Sequence, residues 1–286
     1  MEKSVARLLT TGNPKWLLGY SVAVGMLGVV VSAWGAGRDI DISLFVGALF
    51  CGLSFLVLIS IRIERIVGKT RTAALKSSER AAVAQAMPLV YDRFDLSFPV
   101  PTLDEWTLEP GGLLLLHRLI EGEDPSVIVE LGSGASTPVL AHLAEKQDRR
   151  FTSIENDDSW VEVTRQRLSG WDIEPDHILH HVPLADNPFQ PSAPWYDTDG
   201  LDDIFGDETI DLIFVDGPAA RHGTHRRQPA FTYFASRMSP GGILVLDDYN
   251  REDEQEVVDF WKQEMPEIEV STFSGRKSLA VVRMPE

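Results

Sequence analysis

The chain has 286 residues, 44% hydrophobic and 24% charged, a balance that supports a packed core and excludes disordered or collagen-like architectures. Its one cysteine, Cys51, excludes an intramolecular disulfide, and no Cys/His cluster has zinc-site spacing, so a reducing compartment is expected. The formal net charge of -17 repels phosphate backbones, so no nucleic-acid partner is expected. That charge is unevenly divided. Residues 1–78 hold nine Lys/Arg against four Asp/Glu, whereas residues 79–286 hold 17 against 39.

Two uncharged stretches open the chain: nineteen residues from Trp16 to Trp34 and twenty from Ile42 to Ile61. At about 1.5 Å rise per residue, each helix would reach roughly 30 Å, the thickness of a bilayer core. Gly35 to Asp41 allows only a tight return, which makes residues 1–63 an expected transmembrane hairpin with the membrane as partner through 16–34 and 42–61. Lys3, Arg7 and Lys15 precede it and Arg62, Arg65, Lys69, Arg71 and Lys76 follow it, so both termini and the rest of the chain are expected on the cytoplasmic side. A signal peptide followed by a core helix is the alternative; Val31-Ser32-Ala33 imitates a cleavage site, but the second apolar run speaks against it.

Residues 64–104 read as a connector and cap. The alanine-rich stretch 64–87 predicts a helix, interrupted near Ser77-Ser78 and ended by Pro88. The irregular segment that follows carries Pro99, Pro101 and Pro110, with Phe94, Phe98 and Trp106 to bury. A helix over Gly112–Gly122 then opens a domain at 105–286.

From Val127 onward, apolar strand-like runs fall at Val127–Leu131, Phe151–Ile154, His177–Val182, Ile210–Val215, Gly242–Leu246, Ile268–Phe273 and Leu279–Val282. Helix-like stretches separate the first five, which predicts a parallel sheet covered on both faces. The last two are joined by Ser274-Gly275-Arg276-Lys277. The expected fold class is therefore α/β: a Rossmann-like doubly wound seven-stranded sheet with an antiparallel last strand, preceded by two transmembrane helices. Residues 183–203 hold four prolines, where a helix would otherwise stand between strands three and four, and are expected to form a long loop. Trp195 and Tyr196 in it either close over a ligand or anchor the loop.

Ligands in such sheets sit at the carboxyl ends of the strands. Strand one runs into Glu130-Leu131-Gly132-Ser133-Gly134-Ala135-Ser136-Thr137, where glycines permit a sharp turn and close backbone approach. A dinucleotide fingerprint wants a third glycine at the position of Thr137, which disfavours a nicotinamide-dependent oxidoreductase. Strand two ends at Glu155, placed to accept hydrogen bonds from ribose hydroxyls; alternatively this region is a helix cap built from Asn156, Asp157 and Asp158. Strands four and five end at Asp216 and at Asp247-Asp248. Three converging carboxylates would repel one another unless a cation neutralised them, and oxygen ligands suit Mg2+ or another hard cation.

Together, ELGSGAST, the acidic end of strand two, FVDGP and SPGGILVLDDYN resemble the class I S-adenosylmethionine-dependent methyltransferases over about residues 105–286. Asp216, Asp247 and Asp248 resemble the metal ligands of the metal-dependent O-methyltransferase subgroup, with Asp-Asp at strand five as in certain antibiotic-sugar O-methyltransferases. Where catechol-type enzymes place a lysine, this chain has Ala219. The resemblance implies S-adenosyl-L-methionine as cofactor: Gly132, Ser133 and Gly134 approach its methionine portion, Glu130 supports its ammonium side and Glu155 holds its ribose. It further implies that a bound Mg2+ would ease deprotonation of an acceptor hydroxyl.

Residues 219–227 form a basic cluster beside that rim, which makes His222 or His225 a candidate general base and offers Arg221, Arg226 and Arg227 to an anionic acceptor. A surface loop paired with the acidic remainder fits the same residues. Asp216 is the further catalytic candidate. The expected function is O-methylation of a small-molecule, glycan or lipid-linked acceptor at the membrane, the alternative being a catalytically silent cofactor-binding scaffold.

Overall fold

The computed structural model describes residues 24–26, 30, 34, 40–100, 108–189, 193–219, 221, 223–275 and 277–286, and the chain divides into two compact units, Met1–Ala82 and Val83–Glu286. Most of the first apolar stretch, together with Trp106, His222 and Arg276, lies outside the described residues.

In the first unit, helix α1 begins at Ile40 and continues into the second unit, ending at Phe94. Within it, Gly47–Leu75 contains an 18-residue window with a mean hydropathy of 1.8, the one such stretch among the described residues long and apolar enough to cross a membrane. Leu49, Leu53, Leu56, Val57, Ile63, Ile66 and Val67 are each more than half exposed on it. Soluble helices bury such side chains. Residues 24–26 are helical, and a Cβ on Gly25 would come within 2.6 Å of the Cys51 Cβ, so the two segments pack as closely as a glycine allows. The expectation of two spans is thus reduced, among the described residues, to one helix of spanning length.

Helix α1 is unbroken at Ser77-Ser78 and runs through Pro88, contrary to the interruption and stop read from the sequence. Ser78 turns its hydroxyl back onto the Leu75 carbonyl at 2.8 Å, so the serine satisfies itself within the helix. An interior proline costs about 3 kcal/mol. Val90 and Phe94, two and six residues beyond it, are wholly buried in the second unit, and such burial contributes about 1.5–3 kcal/mol per side chain.

The second unit continues with α2 (Pro110–Glu123), β1 (Val127–Leu131), α3 (Ser136–Lys146), β2 (Arg150–Glu155), α4 (Asp158–Ser169) and β3 (Leu179–His181). After a two-stranded ribbon, β4 (Leu184–Ala185) and β5 (Trp195–Tyr196), come α5 (Thr198–Phe205), β6 (Ile210–Val215), α6 (Pro229–Phe234), β7 (Met238–Leu246), α7 (Glu252–Glu264), β8 (Glu269–Phe273) and β9 (Leu279–Arg283). The main sheet has seven strands in the order β3-β2-β1-β6-β7-β9-β8, parallel from β3 to β7, with β9 antiparallel to both neighbours. This is the doubly wound sheet expected from the alternation of apolar runs.

Two apolar cores cover the sheet. One joins Val90, Phe94, Leu113, Leu116, Val139, Leu168 and Trp171 to one face; the other packs Trp195, Phe231, Phe234 and Trp261 on the opposite face. Phe98 stacks on Trp171 with ring centroids 5.7 Å apart, which holds the described stretch just after α1 on the domain. Residues 183–203 are not the featureless loop expected: they contain the β4–β5 ribbon, and α5 begins at Thr198 behind an Asp197 cap. Trp195 and Tyr196 are buried at 0% and 2% exposure, so they anchor this segment and do not close over a ligand.

Candidate active site

A cavity of about 300 Å³ opens at the carboxyl ends of β1, β2, β6 and β7, within the range of small-ligand pockets. Gly132–Ser136, Glu155–Asp157 and Trp160 line one side; Asp216, Gly217, Ala219, Arg221, Arg227, Asp248, Arg251 and Lys277 line the other.

The turn after β1 is set by steric necessity. Gly132 has φ +93°, and a Cβ there would sit 2.6 Å from the Gly217 nitrogen, so the ends of β1 and β6 meet as two bare backbones. Beneath the turn, Glu130 is completely buried. Its carboxylate accepts hydrogen bonds from the hydroxyls of Ser136 at 2.6 Å, Thr137 at 2.7 Å and Ser153 at 2.6 Å. Thr137 Oγ1 in turn accepts the Gly134 N–H at 2.8 Å. Glu130 therefore braces the glycine turn from below and is not among the residues lining the cavity. Burial raises its pKa, with the three hydroxyls opposing the shift.

Glu155 does line the cavity. Its Oε2 accepts the Ser133 N–H at 3.0 Å and the Ser133 hydroxyl at 3.2 Å, while Oε1 accepts the N–H groups of Asn156 at 2.7 Å and Asp157 at 2.9 Å. Burial raises its pKa and these bonds pull it back. Capping of α4 falls to Asp157, whose side chain accepts from the N–H groups of Ser159 and Trp160 at 3.0 and 3.3 Å. Glu155 and the cap are thus separate devices. Trp160, missed in the sequence, donates its indole N–H to the Ser133 carbonyl at 2.6 Å.

On the opposite side the sheet brings Asp216, Asp247 and Asp248 together, with one oxygen from each within 4.8 Å of the others. Burial and then the Asp247 carboxylate raise the Asp216 pKa well above its ordinary value; Asp247 is raised by burial and by Asp248. Two of the three are paired with cations of the chain itself, whereas both oxygens of the Asp247 carboxylate are buried without a hydrogen-bond partner among the described residues. Arg227 Nη2 lies 3.0 Å from Asp216 Oδ1 and 3.4 Å from Asp248 Oδ2, Arg251 Nη1 is 2.8 Å from Asp248 Oδ2, and Lys277 Nζ is 4.0 Å from Asp248 Oδ1. Burial would depress the Arg227 pKa, but Asp216, Asp248 and Glu254 outweigh it and hold it above the ordinary value. A divalent cation would need a centre free of fixed positive charge, with oxygens converging at about 2.0–2.6 Å. Here a guanidinium stands against two of the three carboxylates, and Asp247 does not line the cavity. The residues do not fit the magnesium ion expected from the sequence.

The basic segment is also corrected. His225 turns away from the cavity: its imidazole Nε2 pairs with Glu256 and lies 3.6 Å from Asp253, and its ring packs edge-on against Phe260. It is placed to cross-link to α7, not to take a proton from an acceptor. Arg226 is 2% exposed and donates to the Pro218 carbonyl at 2.5 Å and to the Gly223 carbonyl, and burial pushes its pKa down to about 10. Arg226 is thus turned inward, while Arg227 lines the cavity but is paired with Asp216 and Asp248. Arg221 is exposed and pairs with Asp157 at 2.6 Å, while His222 lies outside the described residues.

Residues 129–249 match the family model described as a methyltransferase domain. No curated protein matches the sequence. Among solved structures, the SAH-bound methyltransferase PaMTH1 of Podospora anserina is 16% identical, with a TM-score of 0.50 and coverage of 74% of this chain and 96% of that one. The O-methyltransferase TomG of Streptomyces achromogenes, in complex with SAM, is 19% identical, with a TM-score of 0.46 and coverage of 72% and 90%. An O-methyltransferase from Bacillus cereus, in complex with SAH, is 16% identical, with a TM-score of 0.45 and coverage of 71% and 90%. The likeness to PaMTH1 shows a shared Rossmann-like fold.

The raised Glu130 pKa has a consequence for stability. Its contribution is full below the unfolded carboxylate value of about 4.3 and is lost as pH rises through the higher folded value. Glu130→Gln removes that ionisation, so the fall in melting temperature above about pH 4.3 is expected to flatten in the variant. Thermal unfolding of both proteins across this range measures it; parallel curves would contradict the assignment.

Proposed function

We propose that this chain is an S-adenosyl-L-methionine-dependent methyltransferase held at a membrane and directed to an acceptor hydroxyl. The observation that carries the reading is the cavity itself, with the Ser133–Glu155 clamp on one wall and the Asp216 rim on the other. When bound, the cofactor supplies a methyl group on a positively charged sulfonium.

The protein's part is to align and to deprotonate. Gly132, Ser133 and Gly134 present bare backbone to the methionine portion, Glu155 accepts the ribose hydroxyls, and Trp160 provides an apolar wall beside them. Two of the Glu155 hydrogen bonds come from Ser133, so movement of that one turn opens the carboxylate to a ligand. Asp216 lines the cavity and would take the proton of an acceptor hydroxyl, while the bound cofactor would supply the methyl group and leave as its neutral thioether. The dinucleotide alternative conflicts with the Thr137 hydroxyl, which occupies the glycine position and is bonded to both Gly134 and Glu130.

The membrane part of the reading is a helical hairpin of residues 16–34 and 42–61 with both ends cytoplasmic. It is supported by the exposed apolar side chains of α1 and by its basic flanks. The acceptor class that suits this setting is a small molecule, glycan or lipid-linked compound processed at the bilayer.

Calorimetric titration of the detergent-solubilised chain with S-adenosyl-L-methionine is expected to give one binding site, with NAD giving none. Glu155→Ala is expected to weaken binding roughly ten-fold to a hundred-fold, as when one or two charge-assisted hydrogen bonds are lost. Equal affinity of the variant, or heat with NAD alone, would refute the cofactor assignment. The hairpin predicts that the chain stays in the membrane pellet through an alkaline carbonate wash; release to the supernatant would refute it.

A further inference from the structure

The rim residues that resemble metal ligands are held together by an arginine. Arg227 lies just before α6, in a segment whose Pro229, Ala230 and Phe231 are buried, so its backbone is fixed beneath the cavity. Its side chain is 4% exposed. Two of its contacts are to backbone: Nη1 donates to the Asp247 carbonyl at 3.0 Å and Nη2 to the Asp216 carbonyl at 2.5 Å. The same guanidinium reaches Asp216 Oδ1 at 3.0 Å, Asp248 Oδ2 at 3.4 Å and Glu254 Oε1 at 3.7 Å.

These contacts differ in what they imply. The carboxylates could release the arginine to bind a metal instead, but the two carbonyls belong to the ends of β6 and β7 and have no such exchange. Withdrawing the guanidinium would leave buried carbonyl oxygens without that donor, a loss that a metal bound by side chains does not restore. A planar fork that spans two strand ends also fits arginine and not lysine.

We infer that Arg227 is the permanent cation of this rim: its guanidinium orients Asp216 and Asp248 where a divalent ion would otherwise orient them, and it keeps such an ion out. Arg227 is a positioning residue acting through Asp216. Arg251 and Lys277 add charge at the outer edge, where Asp248 faces the cavity. This deepens the methyltransferase reading and rests on it only for what the cavity binds.

The test is a titration of the full-length chain in detergent with Mn2+, followed by electron paramagnetic resonance of free Mn2+, with S-adenosyl-L-methionine calorimetry on the same samples. Wild type is expected to bind no Mn2+ at the rim. Arg227→Met frees the carboxylates without a new donor and is expected to acquire one Mn2+ site that Asp248→Asn then removes. Arg227→Lys, which keeps the charge, is expected to exclude the ion as wild type does. Stoichiometric Mn2+ binding by wild type, abolished by Asp248→Asn, would overturn the inference. So would a soluble Arg227→Met protein that gains no site. If Arg227→Met does not fold, the wild-type titration and Arg227→Lys still decide. The calorimetry reports separately on the cofactor, so a failed cofactor assignment and a failed arginine assignment give different results.

Discussion

Parallel strands ending in carboxylates create a problem that this fold must solve before it can do anything else. β6 and β7 are neighbours, and their ends bring together a half-buried Asp216 and the buried Asp247 and Asp248. Buried like charges destabilise one another and the sheet that carries them. Arg227 enters this space and bonds to both strand ends through their carbonyls as well as to Asp216 and Asp248. One side chain therefore balances charge, ties two strands and fixes the aspartate that faces the cavity. The same residue settles why a cluster that resembles a metal centre is built around a guanidinium.

The opposite wall handles two further acids in different ways. Glu130 is sealed under the glycine turn and spends its oxygens on Ser136, Thr137 and Ser153. Glu155, at the end of the next strand, is held by backbone N–H groups but remains at the cavity surface. Glu130 stands opposite Ser153, so Glu155 lies two residues further along the neighbouring strand, and one carboxylate falls beneath the floor while the other reaches the wall. Rigidity below and adaptability above suit a loop that must be preorganised and still admit a ligand.

Much of this was legible in the sequence because burial on both faces leaves a strong mark. The runs at Val127–Leu131 and Ile210–Val215 coincide with β1 and β6, central strands with nothing polar to blur their ends except Glu130 and Asp211. Strand three shrank to Leu179–His181 because Ile178 and Leu179 turn their N–H groups to the Pro175 carbonyl. The end of α1 at Pro88 is misjudged because proline propensity is local, whereas the burial of Val90 and Phe94 depends on the tertiary fold. Arg226 and Arg227 misled for a similar reason: in a basic run with Arg221 they resemble a solvated loop. Their signal was the apolar run that follows at once, Pro229 to Phe234, which pulls whatever precedes it into the core. Lys277 was recoverable from topology, since Leu246 pairs with Ala280 and the β8–β9 turn must then lie beside Asp247 and Asp248.

The central claim is that the cavity between Glu155 and Asp216 is where the methyl donor binds. A crystal or cryo-electron microscopy structure of the full chain with S-adenosylhomocysteine tests it most directly. The account predicts ligand density with the sugar at Glu155, the amino-acid end along Gly132–Gly134, the sulfur directed toward Asp216, and Arg227 still bridging the aspartates. Density elsewhere, or a cavity that stays empty at saturating ligand, would contradict it.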